Sequence, residues 1–309
     1  MSISKEESFY LYVYKEAFER LNGADLEGAL KLLRDEVRRN ANDKRFNFAL
    51  KANRANKILD EIKNGYESLG YKVIDLKFET KKNFIVGTRQ GPLFLVYEVG
   101  ISWDPILDLP YIPASSLKGA LRSYMLDLCE KVDNRKECVE DVISLFGVPI
   151  RDYEIVKLVF PESKSAEVSD EGSEGLVIFS DAYPISFKET PLTPDIINPH
   201  YYKGGKVVEN EFDVSPTPIT FLTVSPGVTF RLIIALIKEG EKYVSQLSKM
   251  IFNTESYSLV PFLTLAFAMG IGAKTSRGYG ELDLADLELK GVSESKGRRA
   301  ARITWGEKK

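Results

Sequence analysis

Apolar residues recur at helical spacing through the first seventy positions and then give way to short continuous or alternating runs. Phe9, Val13, Phe18 and Leu21 can share one helical face. A second helix is predicted to start near Asp25, a suitable N-cap, and to place Leu26, Leu30, Leu33 and Val37 on one side. A third runs from about Asp43, with Phe46, Leu50, Ile58 and Ile62 as expected buried positions and Asn64-Gly65 and Leu69-Gly70 as terminators. No strand pattern precedes Tyr71.

Beyond Tyr71 the pattern changes. Phe84–Val86 and Leu93–Tyr97 are rich in aromatic and branched residues between glycines and prolines and read as strands. Leu109 to Arg122 reads as a strand, a loop and a helix: Pro113 blocks helix before it, Ser115 or Ser116 can cap, and Leu117, Leu121, Tyr124 and Leu128 form a stripe. Residues 132–175 read as a charged, weakly patterned insertion. Gly175–Asp181 is a short buried strand. Residues 184–218 form a second, proline-rich insertion, expected to be an extended arm. Strands resume at Ile219–Val224 and Val228–Ile237, Leu259–Met269 is apolar on all sides and reads as a buried helix, and Leu282–Leu289 alternates as a last strand. The order strand, helix, strand, strand, helix, strand predicts an α+β fold of the RRM-like, or ferredoxin-like, kind. It spans residues 71–309, with a helical N-terminal extension over 1–70 and insertions near 132–175 and 184–218.

Charge modifies this picture locally. The net charge is −3 and the pI about 5.6, which taken alone argues against a free-standing nucleic-acid binder. Yet Lys31 to Lys57 carries nine basic residues against three acids, and the tail from Lys296 carries six against one. The first stretch is either a binding surface or a solvated helix face. No apolar run is long enough to span a bilayer and the polar start lacks a signal-peptide pattern, so a cytoplasmic protein without membrane association is expected. Scarce glutamine beside abundant Lys, Arg and Glu leans toward a thermophilic source. In a cytosolic setting Cys129 and Cys138 are expected to be free thiols. With one histidine, His200, the chain lacks the ligands of a His/Cys zinc site, and no metal or other cofactor is expected.

The most informative segment is Gly270-Ile-Gly-Ala-Lys-Thr-Ser-Arg-Gly-Tyr-Gly280. Its glycines, Gly270, Gly272, Gly278 and Gly280, permit left-handed backbone and close approach of another chain. Successive amides in such a loop can form an anion nest. Lys274 and Arg277 add charge, Thr275 and Ser276 add hydroxyls, and Tyr279 adds a ring, a set suited to a sugar-phosphate backbone. A P-loop is excluded, because its first glycine would fall at Ala268 and the following element would have to be a helix. A dinucleotide fingerprint fails on the same element order. Lys118 and Arg122 lie one helical turn apart. Ser115, Ser116 and the helix N-terminus could receive phosphate, so Lys118, Arg122, Lys274 and Arg277 are expected to line one groove.

This loop, together with Tyr111-Ile-Pro-Ala-Ser-Ser-Leu-Lys-Gly-Ala-Leu-Arg122, Leu145-Phe-Gly147 and Gly175–Pro184, resembles the signatures of the repeat-associated mysterious proteins (RAMPs) of CRISPR systems. Asp195-Ile-Ile-Asn-Pro-His-Tyr-Tyr202 and Pro216-Thr-Pro-Ile-Thr-Phe221 narrow the resemblance to the Cmr, or type III-B, branch. The family's usual Pro-Gly-Ser-Ser reads Pro113-Ala-Ser-Ser116 in this chain. The resemblance covers roughly residues 84–284. It implies a non-catalytic, RNA-binding subunit of an antiviral ribonucleoprotein, holding guide RNA toward its 3′ portion together with target RNA. It further implies contacts to a backbone-forming and a terminal Cmr subunit, one insertion acting as a thumb, and no small-molecule substrate.

His200 and its neighbour Tyr201 lie in the arm. His200 could be a general base for RNA cleavage, could stack on a base beside Tyr201, or could pack within the arm. The alternative function is therefore a metal-independent endoribonuclease that processes repeat RNA.

Overall fold

The computed structural model describes residues 6–21, 26–87, 93–97, 100–148, 173–197, 202–203, 206–207 and 218–290. Three helices come first: α1 (Phe9–Leu21), α2 (Leu26–Asn40) and α3 (Phe48–Ser68). Strand β1 (Lys72–Thr80) follows, then the helix pair α4 (Ala114–Cys129) and α5 (Arg135–Phe146). Four strands come next: β2 (Val177–Phe179), β3 (Tyr183–Ser186), β4 (Leu192–Ile197) and β5 (Ile219–Val224). The chain continues through β6 (Thr229–Leu236), α6 (Glu241–Phe252), α7 (Val260–Met269) and β7 (Leu282–Lys290). The fold is a mixed α+β one.

The main sheet is antiparallel throughout. β1 lies between β6, where Lys72 faces Leu236, and β7, where Thr80 faces Leu282; β2 and β3 both pair with the far edge of β6. Phe78 of β1 stacks on Phe230 (5.8 Å between ring centroids) and meets Phe267 of α7 at 4.8 Å. These rings hold α7 against the sheet, and the C-terminus of α7 sets where the glycine-rich loop begins.

Three sequence expectations need correction. The first strand is Lys72–Thr80, whose charges at Asp75, Lys77 and Glu79 hide it from a hydrophobic reading; Phe84 forms only an isolated bridge to Val224. Leu93–Val96 is a single helical turn rather than a strand, an ambiguity inherent in short apolar runs. Within the expected insertion at 132–175, Arg135–Phe146 is a helix whose Cys138, Val139, Val142, Ile143, Leu145 and Phe146 are buried.

Helix α3 fixes the N-terminal helices to the sheet through buried ions that the sequence conceals. Its buried face is Phe48, Ala52, Ala55 and Leu59, while Leu50 and Ile58 are exposed. Lys51 and Lys63 are also buried. Lys51 Nζ donates to Asp108 at 2.6 Å, and Asp108 further accepts from the Phe9 and Tyr10 amides that open α1 and from Trp103 Nε1. Lys63 Nζ donates to Asp75 at 2.9 Å. Arg231 of β6 grips the same carboxylate through Nε (2.8 Å) and Nη2 (2.7 Å), and through Nη1 it reaches Asn56 and Asp60 of α3. Burial opposes ionisation of Asp75, but the hydrogen bonds from Arg231 and Lys63 outweigh it and hold its pKa below the ordinary carboxylate value.

Cys129 and Cys138 form a disulfide, against the expectation of free thiols. They close the turn between α4 and α5, where their Cα atoms lie 5.5 Å apart and both side chains are buried. A loop this short is stabilised by roughly 2–3 kcal/mol through restriction of the unfolded chain. Such bonds are rare in cytosolic proteins, those of hyperthermophiles excepted.

Asp141 of α5 is 6 % exposed, and its Oδ2 has no hydrogen-bond partner among the described residues. Burial, reinforced by Glu137 and Glu140, raises its pKa to about 7, against the opposing charge of Lys242. The folded state therefore holds this proton more tightly than the unfolded chain does. The associated stability is full below about pH 4 and is lost as pH rises toward 7. Asp141→Asn is expected to stabilise the protein by roughly 2–3 kcal/mol at pH 8 and to change little at pH 4. Denaturant unfolding of both proteins at the two pH values checks this.

Candidate nucleic-acid interface

Helix α7 is capped at Gly270, which turns the chain at φ +89°. The loop then folds back on itself: the Ile271 amide donates to the Gly280 carbonyl at 2.9 Å. It also docks on the segment after β1, with Ala273 N bonded to Ile85 O (2.8 Å) and Gly280 N to Asn83 O (3.2 Å). Glycine is required at two points. Gly272 sits at φ +96° with its missing side chain aimed at the Ile85 carbonyl, and Gly280 at φ +77° faces the Ile271 carbonyl. A Cβ at either position would strike a carbonyl oxygen. The crest is a 3-10 turn over Thr275–Arg277, flanked by left-handed Lys274 and Gly278. Thr275, Ser276 and Arg277 are exposed.

Seven of the eleven loop amides, those of Gly270, Ile271, Ala273, Arg277, Gly278, Tyr279 and Gly280, donate within the protein. The expected nest of amides is thus largely consumed in shaping the loop, and attraction for an anion comes from side chains. An open cleft of about 320 Å³ beside the loop gathers them. Arg277, Gly278 and Tyr279 line it together with Lys81, Lys82 and Asn83 of the segment after β1, and Asp195 and Pro226 complete it. Lys81 pairs with Asp283 (3.1 Å) and Lys82 with Glu281 (3.1 Å), all with substantially exposed side chains. Exposed ion pairs contribute only about 0–1 kcal/mol, so a phosphate can take these lysines from their carboxylates.

Asp195 of β4, itself in the cleft lining, accepts from Tyr279 Oη and from Asn83 Nδ2, both at 2.5 Å. Burial, then the Asp195 carboxylate, pushes the Tyr279 pKa up to about 12, so the phenol stays a donor. Lys274 Nζ lies over the Phe221 ring of β5, 4.7 Å from its centroid. Burial and then the nearby Arg277 lower the pKa of Lys274, while Asp195 opposes them.

The four cations expected in one groove are therefore divided. Arg277 lines the cleft, whereas Lys274 packs on Phe221 behind it. Lys118 of α4 donates to the Val177 carbonyl at 2.9 Å, tying α4 to β2. Its pKa is lowered by burial and then by Arg122 on the same helix. Ser115 and Ser116 stand in the first turn of α4, but neither caps it; the Ala114 amide donates to Asp181 Oδ1 at 2.7 Å. A carboxylate thus takes one of the first amides of α4. His200 and Tyr201 lie outside the described residues.

Lys81, Lys82 and Asn83 were not anticipated. Their signal is a Lys-Lys-Asn step directly after β1, in the strip on which the glycine-rich loop docks. Conversely, much of the basic stretch from Lys31 to Lys57 is engaged internally: Arg34 with the Val96 carbonyl, Arg38 with Asp35, Arg39 with Glu36, Arg45 with Glu7 and Asp43, Lys51 with Asp108, and Arg54 with Glu6. Among the described residues no cluster of His, Cys, Asp or Glu is placed to hold a metal, and no helix is long and apolar enough to cross a membrane.

Comparison with known proteins bears on this arrangement. Residues 77–283 match the model of the RAMP superfamily. The chain is 31 % identical over 243 residues to the CRISPR system CMR subunit Cmr6 of Saccharolobus solfataricus, covering 79 % of this chain and 69 % of that relative. It is 32 % identical to Cmr6 of Pyrococcus furiosus over 67 % of this chain and 66 % of the relative. Among solved structures it is similar to a chain of the type III-B Cmr-β complex bound to cognate target RNA. That likeness has a TM-score of 0.61 at 23 % identity and covers 93 % of this chain and 94 % of the other, a likeness of fold.

Proposed function

The chain belongs to the RAMP superfamily and, within it, to the Cmr6 family of type III-B CRISPR systems, and from that premise we propose that it is a non-catalytic, RNA-binding backbone subunit of a Cmr effector complex. In this reading it holds guide RNA toward its 3′ portion and the guide–target duplex, and it touches the backbone-forming and terminal subunits. Its place of action would be the cytoplasm. The observation that carries the reading is the cleft beside the glycine-rich loop. Arg277, Lys81 and Lys82 surround an open groove, with Asn83 and the exposed Thr275 and Ser276 as polar neighbours. That set matches phosphate and sugar, contacts that position a strand without reading its bases.

The sheet supports the RRM-like form of the fold. Counting β2 and β3 as the second of four core strands, the order across the sheet is fourth, first, third, second, as a β-α-β-β-α-β chain gives. One face of such a sheet commonly stacks RNA bases on aromatics. In this chain α3 packs there, through Lys63, Asn56 and Asp60 on the Asp75–Arg231 pair. In this reading the RNA runs at the sheet's end, by the loop.

Binding and cleavage of guide-repeat RNA by the chain and by its reconstituted complex, in EDTA, test the proposal. Salt-dependent binding with the RNA left intact, alike for the native chain and His200→Ala, is the expected outcome. Metal-independent cutting abolished by His200→Ala would overturn it in favour of a processing nuclease.

A further inference from the structure

The cleft that gathers Lys81, Lys82 and Arg277 also has one carboxylate in its lining, Asp195. A carboxylate repels phosphate, so its place among these cations needs a separate reason. Part of the reason is structural. Its Oδ2 accepts from Tyr279 Oη and from Asn83 Nδ2, both at 2.5 Å, which ties β4 to the glycine-rich loop and to the segment after β1. Both of those bonds fall on one oxygen. Among the described residues, Oδ1 accepts only from the Ile196 amide, at 2.7 Å. An ionised carboxylate has about four acceptor positions, so these bonds leave one, on Oδ1. Asn83 stands beside it in the lining, and the bond to Asp195 uses one of its two amide hydrogens. The cleft thus presents an acceptor and a donor side by side, within a set of cations suited to phosphate.

We propose that Asp195 and Asn83 recognise a ribose 2′-hydroxyl, so that the cleft takes RNA in preference to a strand lacking that group, with Asp195 as a specificity-determining residue. The inference rests on the reading of the cleft as an RNA site and names the sugar group read there. An acceptor beside a donor fits a neutral group that both donates and accepts, and the 2′-hydroxyl does both. Base edges also carry donors, but the 2′-hydroxyl is next to the carbon that bears the 3′-phosphate. A nucleotide whose phosphate is held by Lys82 or Arg277 therefore brings its hydroxyl to the same small cleft, whatever its base. A carboxylate takes a ribose hydroxyl in the same way beside the pyrophosphate site of dinucleotide-binding folds. Tyr279 and Asn83 hold the Asp195 carboxylate in one orientation before the strand arrives, so little ordering is left for binding to supply.

The test uses the complex reconstituted with the full-length chain and guide RNAs that carry a single 2′-fluoro sugar at successive positions, each in competition with unmodified guide. Fluorine keeps the shape of the sugar and removes the hydrogen that Asp195 would accept. The native complex is expected to disfavour fluorine at one position by roughly tenfold, the value of one charge-assisted hydrogen bond. Asp195→Asn, nearly isosteric and still an acceptor for Tyr279, is expected to shrink that penalty to about threefold. Asp195→Ala should abolish it, with the ratios at all other positions unchanged. A purely structural Asp195 would instead weaken modified and unmodified guides alike. The same ratios at every position in native and variant complexes would therefore overturn the 2′-hydroxyl site. The phosphate cleft would still stand in that case if Lys82→Ala with Arg277→Ala flattened the salt dependence of binding. An unchanged salt dependence in that double variant would overturn the RNA reading and this inference with it.

Discussion

Replacing Asp75 by alanine is expected to destabilise the protein by about 3–5 kcal/mol, the cost of leaving buried cations without their carboxylate. Asp75 and Arg231 are each 5 % exposed, and Lys63 is 8 % exposed. Removing the carboxylate strips two bonds from Arg231 and one from Lys63 in a setting where water cannot replace them. In a chain of 309 residues this corresponds to a loss of roughly 10 °C in melting temperature. The same carboxylate gives the protein an acid limit. Because its folded pKa lies below the ordinary value, its contribution is full above about pH 4 and is lost as pH falls through the folded value. Asp75→Ala should therefore cost most near neutrality and progressively less in strong acid. Thermal unfolding of the two proteins from pH 7 downward measures both effects, and equal stability at pH 7 would refute the assigned role.

The second large effect concerns RNA. Lys82→Ala combined with Arg277→Ala is expected to weaken binding of single-stranded guide RNA by roughly 30-fold, at about 1 kcal/mol for each exposed charge-assisted contact. More diagnostic is the salt dependence. Each phosphate contact on a single strand adds about 0.7 to the slope of log K against log salt, so the double variant should lose about 1.4 from that slope. Lys118→Ala, by contrast, removes a bond to the Val177 carbonyl and should lower stability while leaving the salt slope unchanged. If Lys118→Ala flattened the slope and the Lys82/Arg277 pair did not, the cleft would be the wrong surface. Measurements at several salt concentrations, rather than one affinity, separate these outcomes.

The glycine-rich loop is legible in the sequence because glycine reports backbone geometry directly. Four glycines between an apolar helix and an alternating strand left few other readings, and Gly272 and Gly280 do stand where a Cβ would strike a carbonyl. The motifs at Asp195–Tyr202 and Pro216–Phe221 carried the resemblance as far as the sixth Cmr subunit, and the Cmr6 relatives bear that out. What the sequence concealed was pairing over distance. Lys51 and Lys63 read as surface residues because their partners, Asp108 and Asp75, lie 57 and 12 positions away. With two cations turned inward, the buried face of α3 rotated away from Leu50 and Ile58, which a purely apolar count had placed inside. Strand β1 was missed for the same reason, since Asp75 interrupts its apolar pattern while being neutralised by Arg231 across the ladder. The cleft itself joins Lys81–Asn83 to Arg277–Tyr279, and nothing in local spacing shows two segments so far apart as neighbours. The division of the four expected cations has a similar cause: Lys274 and Lys118 are each drawn to a nearby partner, a ring and a carbonyl, that only the fold supplies.

The most direct test is the structure of the assembled complex with guide RNA bound, reading the distances from RNA phosphates to Lys81, Lys82 and Arg277. Phosphates within about 3 Å of at least two of these side chains, with the strand running past the crest at Thr275–Arg277, are the expected result. Guide RNA passing elsewhere, with the loop packed only against protein, would contradict the role proposed for the cleft.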